Sequence, residues 1–320
     1  MNIESRSTAS VDRYPDFFIV GAAKAGTTSI YQMLSKHSDI YLPREKEPHY
    51  FFDIYEMDKW KYWDSGNLVP LRSTLKYASL QRYLSLFASA NEGQILGEGS
   101  TQYLHSTTAA KDIYAANPEA KIIICLREPI GRAFSAFTYA RSRGEEPENS
   151  FLRALNSCAL GHRRRQFAID YVSGSDYESQ INRYLEVFPR NQVLIILMED
   201  LIRDSLLVCE EVHNFLGVSV PQTLFLPPSN VSVEIQSGVG MAVRVAAKRL
   251  RRYSPELFDQ PIFRMPMQFL INKLGKRPPR MTNEERSFAA FVIPDQIAAI
   301  GKILGRDLVS WRTARTREES

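Results

Sequence analysis

Long apolar runs are missing from this 320-residue chain. None reaches the roughly 18 consecutive apolar residues that a membrane-spanning helix needs. The opening stretch, MNIESRSTASVDRYPD, is polar and holds no apolar signal core. A flexible tail over 1–13 and a soluble, cytoplasmic chain with no membrane span are the resulting expectations. Cysteine is scarce: Cys125, Cys158 and Cys209 form an odd set without a close-spaced pair. That argues against a disulfide framework and against a structural zinc site. No internal repeat or low-complexity tract is present. No nucleic-acid-binding motif is present either, so the basic excess alone does not indicate DNA or RNA. The excess is local. Residues 241–320 hold 16 Lys/Arg against 8 Asp/Glu, within a formal net charge of +4 for the chain. Such a segment suits an anionic ligand, and equally a solvated, Arg-rich helical surface.

The composition that remains is ordinary for a globular protein, 44% hydrophobic and 24% charged. Short apolar runs predict buried strands at Phe17–Val20, Ile40–Leu42, Gln94–Leu96, Lys121–Leu126 and Val193–Met198. Helical spacing predicts helices over Thr28–Lys36, Gly131–Ser142, Tyr177–Phe188, Leu206–Leu216, Val243–Arg252 and Glu284–Leu304. Strands alternating with helices predict an α/β fold, a central parallel sheet covered on both faces. Asp58–Thr74 is aromatic without a period and reads as a loop. Arg141–Ser175 reads as an insertion or lid. Pro227-Pro228 marks a boundary, giving one domain over 14–320, with a core at 16–226 and a C-terminal helical extension at 227–320. Oligomeric state is not legible.

One further absence is informative. FFIVGAAKAGTTSIYQML has the strand, small-residue turn and helix of a phosphate loop, yet lacks the lysine after its second glycine that GxxxxGK[ST] requires. Thr27 stands there, and Lys24 precedes Gly26 instead. Gly21 and Gly26 allow a tight turn and close backbone approach. The N–H groups of Ala25 to Ser29 open a helix, and Thr27, Thr28 and Ser29 add hydroxyls, so the loop is built for an anion. A displaced lysine argues against an ordinary ATP or GTP site. In open parallel sheets ligands bind beyond the strands' carboxyl ends. The loops after Val20, Leu96 and Leu126 therefore predict one common site.

Lys24-Ala25-Gly26-Thr27-Thr28 resembles the K-x-G-T-[TS] loop of sulfotransferases that use 3′-phosphoadenosine 5′-phosphosulfate (PAPS). CLREPIGRAFSAF resembles that family's second element, a strand ending in Arg followed by a helix carrying Ser; here these are Arg127 and Ser135. The resemblance implies a P-loop NTPase-like three-layer α/β sandwich. It implies that Lys24, Ala25, Gly26, Thr27, Thr28 and Ser29 bind the 5′-phosphosulfate, and that Arg127 and Ser135 bind the 3′-phosphate. KEPHYFF resembles the K-E-x-H-F-F segment of the heparan-sulfate type, which implies Glu47 as catalytic base; His49 is the alternative. GEGSTQYL is similar to G-E-K-[ST]-P-x-Y near the acceptor and implies roles there for Glu98 and Tyr103, although Gly99 replaces the usual Lys. Arg132 could share the phosphate or face solvent. The family's late basic loop is expected near Ser229–Gly240, which carries no Lys or Arg; Arg163-Arg164-Arg165 or Arg244 could substitute. The implied reaction is metal-free sulfuryl transfer from PAPS to a hydroxyl or amine of a sugar or natural-product small molecule. The alternatives are a Mg²⁺-dependent ATP kinase of the same fold and a non-catalytic nucleotide-binding protein of sulfotransferase descent.

Overall fold

The computed structural model describes residues 13–53, 57–64, 67–221 and 280–316. Five parallel strands form its sheet: β1 (Phe17–Gly21), β2 (Ile40–Tyr41), β5 (Ile95–Gly99), β6 (Lys121–Leu126) and β7 (Val193–Leu197), in the order β2-β5-β1-β6-β7. Every residue of β1 is buried, as are all of β6 after Lys121. Central parallel strands have helices on both faces, so their sequences are apolar throughout and do not alternate. This is why FFIV and KIIICL are conspicuous in the sequence. Helices α1 (Thr27–Leu34), α3 (Ala109–Ala116), α4 (Pro129–Arg143), α6 (Tyr177–Leu185) and α8 (Ser205–Leu216) close most of the crossovers, with short α2 (Leu80–Leu84) and α7 (Met198–Arg203) between them.

The register explains where a ligand can bind. Phe17 lies beside Gly97 on one side and Lys121 on the other. From β1 the chain leaves toward β2, whereas from β6 it leaves toward β7. Adjacent strands whose connections diverge leave a crevice at their carboxyl ends. Ala22 N–H still donates to the Cys125 carbonyl at 2.5 Å, so the two strand ends stay in contact at its base.

Two sequence expectations need correction. Asp58–Thr74 is not a plain loop: Lys61–Asp64 (β3) and Asn67–Pro70 (β4) form an antiparallel hairpin in which Tyr62 faces Val69. Glu284–Leu304 is not one helix. It is α9 (Asn283–Val292) and α10 (Ile297–Leu304), separated at Pro294, which can neither donate an N–H nor let the residue before it stay helical. Arg141–Ser175, expected as an insertion or lid, is a folded segment that lines part of the cavity at the strand ends. It contains α5 (Phe151–Ala159), which joins α4 and α9 around a second apolar core of Ile130, Phe137, Phe151, Leu155 and Ile293. Last comes α11 (Val309–Thr316), with Trp311 fully buried. The expected helix at Val243–Arg252, the Ser229–Gly240 loop and nearly all of the 1–13 tail lie outside the described residues. Among the described residues no single helix is long and apolar enough to cross a membrane.

Candidate active site

The carboxyl ends of the strands open into one cavity of about 1680 Å³. A single drug-sized ligand takes roughly 300–1,000 Å³, so there is space for two molecules side by side. The phosphate loop forms one wall. Gly26 sits at φ +90°, where an added Cβ would lie 3.2 Å from Leu201 Cδ2, so both backbone and packing favour glycine. The α1 helix that follows has no acidic residue in its first turn, which leaves its positive end free for an anion. Lys24, Gly26, Thr27, Thr28 and Ser29 line the cavity, while Ala25 is buried behind them.

Lys24 Nζ rests over the Tyr139 ring, 4.1 Å from its centre. Burial, then the charge of Arg127, pushes its pKa down to about 8, against a smaller opposing pull from Glu47. Arg127 and Ser135 line the same cavity, and Arg127 Nη1 reaches the Lys24 carbonyl at 3.5 Å. Neither Glu128 nor Asp200 neutralises Arg127. The Glu128 carboxylate caps α4 by accepting from Ile130 N and Gly131 N, and Asp200 pairs with Arg203 and Arg306. Arg132 is different: it is buried and committed to Ser175 Oγ and the Tyr171 carbonyl. Arg163 is also committed, pairing with Glu146 at 2.8 Å in the interior, and Arg244 lies outside the described residues.

The segment carrying Glu47 and His49 forms the facing wall. Both residues have positive φ, +62° and +56°, which costs non-glycine residues about 1–3 kcal/mol each. Hydrogen bonds to the end of β5 and the loop after it hold them there: Glu47 N–H donates to the Gly99 carbonyl, His49 N–H to Ser100 Oγ and Phe51 N–H to Tyr103 Oη. Asp53 anchors the far end, accepting from Trp60 Nε1 and Thr107 N. The Glu47 carboxylate is half-exposed to the cavity, accepts from Thr101 Oγ1 at 3.3 Å and lies 3.5 Å from His49 Nε2. His49 is buried, and desolvation holds its pKa below the usual imidazole value. Its Nδ1 has no hydrogen-bond partner among the described residues.

Glu98 and Tyr103 do not line the cavity as acceptor ligands would. Both are buried beneath it. Glu98 accepts from Tyr83 Oη at 2.9 Å and Tyr103 Oη at 3.0 Å, and burial pushes its pKa up to about 7. Through Tyr103 they hold the backbone that presents Glu47 and His49. Several cavity residues, cations among them, escaped the sequence reading. Lys46 is one. Arg280 and Arg286, from the C-terminal segment, are others, and both line the same cavity. The basic composition of 241–320 was their sole sequence signal.

The site therefore gathers Lys24, Lys46 and Arg127 around a helix N-terminus, none with an ion-pair partner among the described residues, opposite a carboxylate and a neutral imidazole. That arrangement can hold a multiply charged anion and remove a proton from a neighbouring group.

Comparison with known proteins agrees. A model of the sulfotransferase family matches residues 15–222. The bifunctional heparan sulfate N-deacetylase/N-sulfotransferase 3 of Homo sapiens is 27% identical over 311 residues, covering 94% of this chain and 31% of that protein. The heparan sulfate glucosamine 3-O-sulfotransferase 6 of Homo sapiens is 28% identical over 206 residues, covering 64% of this chain and 53% of that protein. The chain thus spans about a third to a half of these relatives' length. A sulfotransferase structure from Alicyclobacillus acidocaldarius aligns with a TM-score of 0.66 at 28% identity, over 93% of this chain and 99% of that one. With its phosphate loop, its β6–α4 element and its KEPHYFF wall all facing one cavity, this chain belongs to the sulfotransferase family.

Proposed function

We propose that the protein transfers the sulfuryl group of PAPS to a hydroxyl or amine of a saccharide or natural-product small molecule. The observation that carries this reading is the set of cations without ion-pair partners among the described residues, Lys24 and Arg127 above all, gathered beside the phosphate loop in one cavity. A mononucleotide with anionic groups on both the 3′ and 5′ positions of its ribose suits such a cluster. PAPS supplies an activated sulfur: the acceptor oxygen or nitrogen forms the new bond to sulfur as the bond from sulfur to the bridging phosphate oxygen breaks, leaving adenosine 3′,5′-bisphosphate.

The chain's own residues do the rest. Arg127, through a forked guanidinium, and Ser135 hold the 3′-phosphate. The loop N–H groups, Thr27 and Thr28 hold the 5′-phosphate. Lys24 offsets charge that grows on the departing phosphate oxygen, a transition-state contribution that needs no metal. Glu47, whose carboxylate faces the cavity, takes the acceptor proton. His49, deeper and with Nε2 3.5 Å from the Glu47 carboxylate, helps to orient it. The three free, buried cysteines fit a reducing compartment, and we place the protein in the cytoplasm.

Calorimetric titration tests the reading. Wild type should bind adenosine 3′,5′-bisphosphate well and ATP with Mg²⁺ poorly, and Arg127→Ala should lose that preference. Tighter binding of ATP with Mg²⁺ would favour the kinase alternative and end the PAPS reading. Preference for the bisphosphate without any sulfate transfer across a panel of sugars and phenols would favour the non-catalytic one.

A further inference from the structure

We propose that Lys46 is the cation that holds the sulfuryl oxygens of the donor, and that glycine at position 99 is what lets it reach them. This rests on the PAPS reading of the cavity. Lys46 Nζ lies 3.4 Å from Thr27 Oγ1 and 3.3 Å from Thr28 Oγ1, the two hydroxyls at the start of α1. Its side chain thus bridges from the base-bearing wall to the phosphate loop. Both contacts are to neutral oxygens, and no carboxylate pairs with it among the described residues. Burial pushes its pKa down, against smaller opposing pulls from Glu47 and then Cys125. A desolvated ammonium without a counterion is unfavourable until an anion arrives.

The location selects which part of the donor that anion is. The 5′-phosphate belongs on the loop, and the acceptor belongs beside Glu47. Sulfur must lie between them, on the line of transfer. Lys46 follows that line: it is covalently next to Glu47 and its nitrogen touches the loop hydroxyls. Lys24, set over Tyr139 on the Arg127 side, is left to serve the 5′-phosphate and its bridging oxygen.

Gly99 gives the lysine its path. A Cβ built on Gly99 would lie 3.3 Å from Lys46 Cε and 2.8 Å from Cδ2 of Tyr31. Tyr31 cannot yield easily, because its hydroxyl donates to the Pro43 carbonyl and its ring supports the Lys46 ammonium at 5.5 Å. Any side chain at 99 therefore displaces the Lys46 stem.

Titrations with PAPS and with adenosine 3′,5′-bisphosphate, in the absence of acceptor, separate sulfuryl binding from nucleotide binding. Lys46→Met is expected to weaken PAPS roughly 10- to 100-fold, as loss of a charge-assisted contact does, and to change bisphosphate affinity less than about threefold. Lys46→Arg should retain most PAPS affinity, and Gly99→Ala should follow Lys46→Met in direction. Unchanged PAPS affinity in Lys46→Met, or equal loss for both ligands, would overturn the proposal while leaving the PAPS reading intact. Wild type that binds neither ligand would remove the PAPS reading, and this proposal with it. If thermal melting shows Lys46→Met to be unfolded, Gly99→Ala decides by the same comparison: selective loss of PAPS supports the assignment, and affinities equal to wild type overturn it.

Discussion

A single lysine in this site carries a measurable signature. With a pKa near 8, Lys24 is about half protonated in the free protein at pH 8. A bound phosphate favours the charged form, so binding must draw in a proton. Calorimetry of adenosine 3′,5′-bisphosphate at pH 8, in buffers of different ionisation enthalpy, should show uptake of about half a proton. At pH 6.5 uptake through this group should vanish, and Lys24→Met should abolish it at both. Affinity should weaken as pH rises above about 8. Heats that do not depend on buffer would remove Lys24 from the anion site. Such electrostatics were only partly legible in the sequence. The loop's pattern of Gly, Lys and hydroxyls marked Lys24, and the strand-ending position marked Arg127. Nothing local told whether Arg132 joins Arg127, because the answer is one of burial: the Arg132 guanidinium is consumed by Ser175 and Tyr171. Lys46 was hidden beside the more conspicuous Glu47.

Among elements, the β5 strand and the loop after it are the scaffold on which the base-bearing segment hangs. Tyr103→Phe removes both the acceptor for Phe51 N–H and a donor to Glu98, without touching the cavity. Kcat for sulfate transfer should fall by up to about tenfold, the worth of one hydrogen bond, with bisphosphate affinity unchanged. A rise in acceptor KM at constant kcat would instead return Tyr103 to the acceptor. Strand and helix positions were readable wherever one rule dominated: continuous apolar runs for central strands, helical spacing for α4 and α8. The β3–β4 hairpin obeyed neither rule. Its strands are half-exposed or exposed along their length, so no alternation of buried and open positions marks KYWD or NLVP. The break between α9 and α10 had a plain signal in Pro294, outweighed by apolar residues on both sides.

At the scale of the whole molecule, the buried Glu98 makes stability depend on pH in an unusual direction. Its folded pKa, about 7, lies above the value of roughly 4.3 expected in the unfolded chain. The native state therefore holds an extra proton between those limits. Its contribution is full below the unfolded pKa and is lost as pH rises through about 7. Chemical denaturation at pH 5.5 and pH 8 should show this group favouring the lower pH, by an amount on the order of 1–3 kcal/mol. Glu98→Gln should flatten that difference; an undiminished slope would mean that Glu98 titrates normally.

The strand order also has a consequence in time. β1 is made first, yet it occupies the middle of the sheet, between Gly97 and Lys121. As the chain leaves the ribosome, FFIV has neither neighbour until the polypeptide is long enough to supply both. No early hairpin can shelter it, because parallel partners are always distant in sequence. Until the chain has extended through Leu126, this wholly buried strand must be carried with at least one edge open. The polar residues flanking that strand, and whatever binds nascent chains, are its protection until β5 and β6 arrive.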